Sequence, residues 1–385
     1  MIEINEEKLN ITAPETGLCI SQMQPFLKLV SSEPYKWQQD KINKQLDRIC
    51  RFMKVAKTFD GNGKSHFTIL PEYSIPGIKG IYRINQFLTG SSWPSETILI
   101  GGVDGLSKDE YTNICNNTIS FVSPVNAPDK VEDGKWVNCC ITWVKERNGE
   151  LKQWIQPKIS PSWPEKNITH SKMFCGHSVN LFTMKFSNNT DCKFLSLICF
   201  DWIGAINGIE NGIFGILHKV NKLWQKTNSR KDINLVFVLQ HNEEPNHRDF
   251  LENARKFFED RDTIPFIVRD QSVLFFTNTA GRNAPGKSNK YGYSSLIASY
   301  SSPYVNQNCC PVCFSSDNEK FKNSANLGRC KVALFRENGA CFHLFKFFPP
   351  PFIAASPRGR CLFLDEAKVS LSMKELMTQG SREVQ

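Results

Sequence analysis

The sequence predicts a layered α/β fold in which strand pairs alternate with helices and β-hairpins. One observation is a set of short, continuous apolar runs such as KFLSLICF (193–200) and INLVFVLQ (233–240), which are typical of strands buried on both faces. Another is the helical pattern of residues 37–59, whose apolar positions recur at steps of three and four. Both a four-layer helix–sheet–sheet–helix sandwich and a doubly wound sheet fit this alternation.

The predicted elements follow from these patterns in chain order. Strands are predicted at 17–25, 67–72, 97–105, 116–124, 193–200 and 233–240, and then in PFIVRDQ, VLFFTNTAG and SSLIASY. Helices are predicted at 37–59, 213–226 and 247–262. Two Asn-Gly pairs predict β-hairpins, Asn148-Gly149 within 141–154 and Asn338-Gly339 within 332–348.

The chain divides into one main domain and a tail. We expect a single domain over residues 1–352 that carries a polar, cysteine-containing insertion at about 301–330. The proline run of FPPPF closes this domain. The tail, 353–385, contains DEAKVSLSMKELM, which predicts a short helix that docks on the body, on another subunit or on a partner protein.

Composition excludes several classes of protein. Hydrophobic residues make up 40% and charged residues 22% of the 385 residues, as in ordinary globular proteins. The acidic start MIEINEEKLN is unlike a signal peptide, and no apolar run approaches the ~20 residues of a membrane span, so we expect a cytoplasmic protein. The net charge of +9 is scattered without a nucleic-acid motif, which makes nucleic acid an unfavoured partner without excluding it.

The 14 cysteines are irregularly spaced, as expected of reduced thiols rather than of a disulfide framework. CCPVC (309–313) contains one close cysteine pair, whereas zinc sites usually need two. Ordinary loop thiols are therefore the favoured interpretation of this motif, and zinc is the alternative.

Three chemically active residues lie at predicted strand ends. Cys199 ends an apolar run before the turn FDWIG, Glu72 ends FTILPE, and Lys158 follows a hairpin strand. In open α/β sheets the carboxyl ends of strands are where active sites collect. A carboxylate that takes the thiol proton, with a lysine that stabilises negative charge, would make a cysteine hydrolase. The alternative is three unrelated residues.

These motifs resemble those of the carbon–nitrogen hydrolase (nitrilase) superfamily. The order Glu72 in FTILPEYSIPG, Lys158 in QPKISPSWPE and Cys199 in LICFDWIG resembles the superfamily's three signatures. Further resemblances lie in LCISQMQP, NNTISFVSP, MFCGHSVNLFTM, ARKFFEDRDTIPFIV and FFTNTAGRN.

The resemblance implies a four-layer αββα sandwich and a Glu–Lys–Cys triad. It implies that Glu72 is the general base and acid, Lys158 the cationic stabiliser and Cys199 the nucleophile. The backbone N–H of Phe200 would join Lys158 in the oxyanion hole. Glu165 is the candidate for a second glutamate that positions substrate and base, although a solvated turn residue is the alternative.

The implied activity is hydrolysis of a small-molecule amide or ureido compound, less readily a nitrile, through a thioester and without cofactor or metal. The resemblance also implies at least a homodimer. Phe200 and Asp201 after the nucleophile resemble the amidase and carbamoylase branches. Departures such as DCKFLSL before Cys199 and Lys256 in place of an arginine make the chain a divergent member. A module that serves a partner protein and a catalytically idle scaffold are the alternative functions.

Overall fold

Two large β-sheets and five α-helices make up most of the described part of the chain. The structure is a computed structural model that describes residues 2–14, 17–59, 61, 63–162, 165, 172–204, 212–228, 230–244, 247–260, 262–269, 272–281, 291–299, 330–334, 339–347 and 371–372. The helices are α1 (Ile42–Thr58), α2 (Gly77–Thr89), α3 (Lys108–Cys115), α4 (Ile213–Gln225) and α5 (Arg248–Glu259).

The strands belong mostly to the two large sheets. In chain order they are β1 (Glu3–Ala13), β2 (Leu18–Gln24), β3 (Phe67–Ile75), β4 (Thr97–Ser107), β5 (Ser120–Val122), β6 (Trp136–Lys145), β7 (Leu151–Pro157), β8 (Ser178–Phe186), β9 (Asp191–Ile198), β10 (Lys231–Asp232), β11 (Leu235–Leu239), β12 (Ile267–Val268), β13 (Val273–Thr277), β14 (Ser295–Ser299), β15 (Cys330–Leu334), β16 (Cys341–Phe347) and β17 (Leu371–Ser372).

Both large sheets mix parallel and antiparallel pairs. The seven-stranded sheet has the order β1-β8-β9-β11-β13-β14-β15, and its centre, β9-β11-β13, is parallel. The eight-stranded sheet has the order β17-β16-β2-β3-β4-β6-β7-β5, with β2, β3 and β4 parallel. The predicted mixed α/β class is therefore confirmed.

Aromatic side chains pack between the two sheets. The ring of Phe67 on β3 lies 5.2 Å from that of Phe194 on β9 and 5.1 Å from that of Phe237 on β11, measured between centroids. The apolar faces of α1, α2 and α3 share a separate core with the eight-stranded sheet, whereas α4 and α5 pack into the core that contains these rings. The parallel central strands of both sheets are buried on both faces, as their continuous apolar runs predict.

Most predicted elements are confirmed with shifted ends. The helix predicted at 37–59 begins at Ile42, after a 3₁₀ turn at Gln39–Lys41, and the Asn148-Gly149 hairpin joins β6 to β7. The prediction omitted α2, α3 and β8, and also β1, in which Leu9, Ile11 and Ala13 alternate inward.

The hairpin predicted at 332–348 is wrong. β15 pairs with β14 in the seven-stranded sheet, and β16 pairs with β2 in the eight-stranded sheet. The chain therefore crosses between sheets at this point, because β15 and β16 pair with β14 and β2 instead of with each other.

The predicted insertion and tail lie almost wholly outside the described residues. Cys330 is the one described residue of the insertion, and Leu371–Ser372 of the tail forms β17 on β16. These two residues are extended, so the short helix predicted in DEAKVSLSMKELM does not include them. No helix within the described ranges is long and apolar enough to cross a membrane.

Candidate active site

Glu72, Lys158 and Cys199 converge between the carboxyl ends of strands from both large sheets. Glu72 lies near the end of β3, Lys158 directly follows β7, and Cys199 directly follows β9. All three are buried. Carboxyl ends of neighbouring strands meet at one edge, which is where ligand sites form in α/β sheets.

A local irregularity of β3 presents Glu72 to this region. The register of β3 against β4 shifts between Leu70 and Ile75, and Pro71, at the start of the shift, has no N–H for the ladder. Gly102 on β4 allows the backbone of Glu72 to come close, since a Cβ there would lie 2.5 Å from the Glu72 Cα and 2.8 Å from the Pro71 carbonyl oxygen. The bulge thus depends on a proline and a glycine in adjacent strands.

Lys158 bridges two buried carboxylates. Its Nζ donates to Glu72 Oε1 at 2.8 Å and to Glu165 Oε2 at 2.7 Å. Asn138 Nδ2 donates to Glu72 Oε1 at 2.9 Å and to Glu165 Oε1 at 3.2 Å. One ammonium and one amide therefore hold the two carboxylates in a set arrangement and compensate part of their desolvation.

The two glutamates differ in protonation behaviour. Burial raises the pKa of Glu72, and Lys158 offsets this only in part. Burial would also raise the pKa of Glu165, but Lys158 and hydrogen bonds lower it on balance. Burial would lower the pKa of Lys158, yet the two carboxylates raise it well above its ordinary value. Glu72 is thus the carboxyl group better suited to exchange a proton near neutral pH.

Glu165 is an integral part of this cluster. It is 1% exposed, so the alternative of a solvated turn residue is wrong. Besides Lys158 and Asn138, the Tyr73 hydroxyl donates to its Oε1 and the Ser162 N–H donates to its Oε2. Donors on both oxygens favour the charged form of Glu165.

Cys199 has an unusual backbone conformation. Its φ is +44°, in the left-handed region, where a side chain costs about 1–3 kcal/mol and which recurs at functional sites. Cys199 opens the 3₁₀ turn Cys199–Asp201 directly after β9. The sequence Ile198-Cys199 thus places the thiol at a sharp bend, where the strand stops.

The surroundings of the Cys199 thiol keep it protonated at rest. Burial and the charge of Glu72 raise its pKa well above the ordinary value, while Lys158 and the His241 backbone N–H lower it. The same His241 N–H donates to Glu72 Oε2 at 3.1 Å. One backbone N–H therefore bonds the Glu72 carboxylate and lowers the pKa of the Cys199 thiol, but the net rise of that pKa means that a base is required to form the thiolate.

Phe200 packs its ring against α5, edge-on to Phe250 at 6.4 Å between centroids. Its backbone N–H is in the first turn of the 3₁₀ segment, where N–H groups have no partner within the helix. The predicted contribution of this N–H to an oxyanion hole stays a prediction.

Sequence reasoning missed Asn138, Tyr73 and His241. The Asn-Thr strand that resembles the family's was placed at 116–124, but Asn117 precedes the edge strand β5, and Asn138 on β6 contacts the carboxylates. His241 follows β11 closely, so the strand-end argument that found Cys199 would also have found it.

The side chain of His241 takes part in an aromatic contact beside the site. Its Nδ1 pairs with Thr279 Oγ1 at 2.8 Å, and its ring stacks on Tyr291 at 4.9 Å and meets Tyr73 edge-on at 6.0 Å. Burial lowers its pKa to about 4, so the imidazole is neutral at physiological pH. It therefore adds no charge to the site.

Metal ligation receives no support from the described ranges, which contain no group of three or more His, Cys, Asp or Glu placed to hold an ion. Cys330 Sγ donates to the Ala254 carbonyl at 3.8 Å, and Cys341 Sγ lies 3.4 Å from His343 Nε2. The CCPVC motif at 309–313 lies outside the described residues.

No family model and no curated protein matches the chain. Among solved structures, it is similar to a mutant of the amidase from Nesterenkonia sp. AN1 that shows the result of Michael addition of acrylamide at the active-site cysteine. That match has a TM-score of 0.39 and 11% identity over 73% of this chain and 85% of that one.

Two structures of N-terminal amidase are also similar. The first has a TM-score of 0.34 and 14% identity over 65% of this chain and 56% of that one. The second, with a Gln-Val peptide, has a TM-score of 0.35 and 12% identity over 66% and 57%. All three are amidases.

Proposed function

We propose that this chain is a cysteine-dependent hydrolase of non-peptide C–N bonds, with amides or ureido compounds as substrates and nitriles as a less favoured class. The observation that carries the proposal is the buried Lys158 bridge between Glu72 and Glu165, next to a cysteine with left-handed backbone. Clusters of titratable groups with perturbed pKa values concentrate at functional sites.

The fold that goes with this function is a four-layer αββα sandwich. Its layers would be α1–α3, the eight-stranded sheet, the seven-stranded sheet and α4–α5. The phenylalanine rings packed between the sheets and the separate core beneath α1–α3 support this arrangement.

In the first half-reaction Glu72 accepts the Cys199 proton, and the thiolate attacks the carbonyl carbon. The tetrahedral oxyanion is stabilised by the Lys158 ammonium and the Phe200 backbone N–H. Glu72 returns its proton to the leaving nitrogen, the C–N bond breaks, and ammonia or an amine departs. The acyl group remains on Cys199 as a thioester.

In the second half-reaction Glu72 takes a proton from water, which attacks the thioester carbon. Collapse of this intermediate expels Cys199, which regains the proton, and the acid is released. Glu165 stays charged throughout, because its pKa is lowered, and holds Lys158 in place. The scheme uses no metal or organic cofactor.

The proposal is tested by alkylating the chain with iodoacetamide between pH 6 and 10 and following each cysteine by mass spectrometry. We expect Cys199 to react faster than the other cysteines, although it is buried. Glu72→Gln and Lys158→Ala should each remove this excess. The buried thiols Cys139 and Cys140, whose pKa values burial raises, are internal controls.

A screen for ammonia release from amides and ureido compounds then follows, with Cys199→Ser as the inactive comparison. If Cys199 reacts no faster than Cys139, the hydrolase proposal fails, and the idle scaffold becomes the better interpretation. Reactivity that appears only with a co-purified protein would favour the module that serves a partner.

A further inference from the structure

We infer that Asp201 is a positioning residue that ties the segment carrying Lys158 to the turn carrying Cys199. This inference rests on the proposed function. Asp201 lies two residues after the nucleophile and is completely buried. No step of the proposed mechanism uses it, and a buried carboxylate is costly unless it is paired and hydrogen-bonded.

The carboxylate contacts both sides of the site. Its Oδ1 accepts the backbone N–H of Ile159 at 2.9 Å and of Ser160 at 2.7 Å, the two residues that follow Lys158. Its Oδ2 accepts the N–H of Ile198 at 3.2 Å, the residue before Cys199. Lys158 follows a strand of the eight-stranded sheet, and Ile198 ends a strand of the seven-stranded sheet, so one side chain joins the two sheets at the site.

A carboxylate suits this geometry better than any other side chain of similar size. It offers two oxygens with four lone-pair directions and no hydrogen, so it can accept several N–H groups from opposite sides. Such charge-assisted bonds are shorter and stronger than neutral ones. An asparagine of the same shape would present an N–H₂ group to one of the N–H donors.

The hydrogen bond from the Ile198 N–H to Asp201 also helps to hold the left-handed turn at Cys199. This hydrogen bond encloses Cys199, since Ile198 precedes Cys199 in the chain and Asp201 follows it. The Trp202 N–H returns to the Cys199 carbonyl oxygen at 3.0 Å. The uncommon φ of Cys199 is therefore held by hydrogen bonds that close around it from the C-terminal side.

The electrostatic surroundings of Asp201 make this link sensitive to pH. The groups that act on it or feel its charge are Lys158, Cys140 on β6 and Cys175. Burial raises its pKa to about 7, and Lys158 and the three N–H donors counteract this only in part. A protonated carboxyl must place a hydrogen on one oxygen, which weakens acceptance there, so the link loosens as pH falls below neutral.

The test compares Asp201→Asn and Asp201→Glu with Asp104→Asn as matched control. Asp104 is also buried, accepts the N–H of Trp37 at 2.8 Å and of Gly77 at 2.6 Å, and has a pKa raised to about 7 by burial. The nearby charges that act on it are Lys36 and Glu110 rather than Lys158. Its substitution therefore removes a similar buried charge whose hydrogen-bond acceptors serve neither the segment after Lys158 nor the Cys199 turn.

The first readout is the iodoacetamide rate of Cys199 across pH. We expect Asp201→Asn and Asp201→Glu each to lower this rate about tenfold at pH 8. In both variants Cys199 moves away from Lys158, and a rise of the thiol pKa by about one unit lowers the thiolate fraction by that factor. The ratio of wild-type to Asp201→Asn rates should rise with pH through about 7. Asp104→Asn should keep the wild-type rate. If Asp201 acted only through its negative charge, Asp201→Asn would react faster and Asp201→Glu normally, which would overturn the inference.

The second readout does not depend on the proposed function. Backbone hydrogen exchange should speed up at Ile159, Ser160 and Ile198 in Asp201→Asn and stay unchanged there in Asp104→Asn. Unchanged exchange at these three amides would overturn the link itself. A wild-type Cys199 no more reactive than other thiols, together with faster exchange in Asp201→Asn, would instead remove the proposed function and leave the link standing.

Discussion

Glu72 and Asn138 lie on strands of the eight-stranded sheet and Lys158 directly follows one, and the side chains of Asn138 and Lys158 both donate to the Glu72 carboxylate. By contrast, Cys199 and His241 follow strands of the seven-stranded sheet and contribute a thiol and a backbone N–H. The first set depends on which side chains are present. The second depends on backbone conformation at strand ends. Substitutions in the first set should therefore act mainly through charge, and those in the second mainly through position.

The largest effect is expected for Lys158→Met. Two buried carboxylates then lose their shared counter-ion, which should cost about 3–5 kcal/mol of unfolding free energy at pH 7. Without the ammonium the folded-state pKa values of Glu72 and Glu165 rise, so the variant should regain stability as pH falls from 7 to 5. Urea unfolding at several pH values measures both.

The control for this change is Lys185→Met, which removes a half-exposed ion pair to Asp191 at 2.6 Å. Such pairs contribute about 0–1 kcal/mol. Equal losses in the two variants would contradict the view that the charge cluster of the eight-stranded sheet is held by Lys158.

A smaller effect is expected for Gly102→Ala, which tests whether backbone geometry also matters in the eight-stranded sheet. The new methyl would meet the Glu72 backbone at 2.5 Å and force β3 and β4 apart. We expect a loss of about 1–3 kcal/mol, as for overpacked sites, and slower alkylation of Cys199 as Glu72 shifts.

Gly90→Ala is the comparison, because Gly90 has an ordinary φ of −57° and its nearest contact would be the Phe87 carbonyl oxygen at 3.3 Å. It should change stability by no more than about 0.5 kcal/mol. A normal Cys199 rate in Gly102→Ala would show that the bulge does not position the base.

The smallest effect is expected for His241→Ala. The hydrogen bond to Glu72 and the lowering of the Cys199 pKa both come from the backbone N–H, which the variant keeps, so the Cys199 rate should stay close to that of the wild type. Loss of the Thr279 hydrogen bond should cost about 1 kcal/mol. Thr279→Val should cost a similar amount in thermal unfolding, since it removes the same bond. A large loss of Cys199 reactivity in His241→Ala would assign the role to the imidazole.

Much of the site could be predicted because its residues lie at the ends of strongly apolar runs. Cys199 after LSLI and Glu72 after FTIL are local patterns, and the burial of both strands is confirmed. Asn138 could not be predicted in the same way. It sits within a long strand, and only the pairing of β6 with β4 and β7 brings it to Glu72 and Glu165.

The crossing of the chain between β15 and β16 could not be predicted either, because it also depends on strand pairing. Asn338-Gly339 favours a two-residue hairpin locally, but pairing with β14 and β2 buries the apolar faces of both strands in the existing sheets. A local turn preference of this kind is small beside the burial gained by a whole strand.

By itself the sequence determined the mixed α/β class, the main helices and the chemical groups at the strand ends, because these follow from periodicities of two to four residues. The tertiary structure alone decided that Lys158 joins Glu72 to Glu165, that Cys199 adopts a left-handed turn and that Asp201 connects both sheets. These features join residues far apart in the chain or depend on backbone angles, and both are set by packing of the whole fold rather than by local preference.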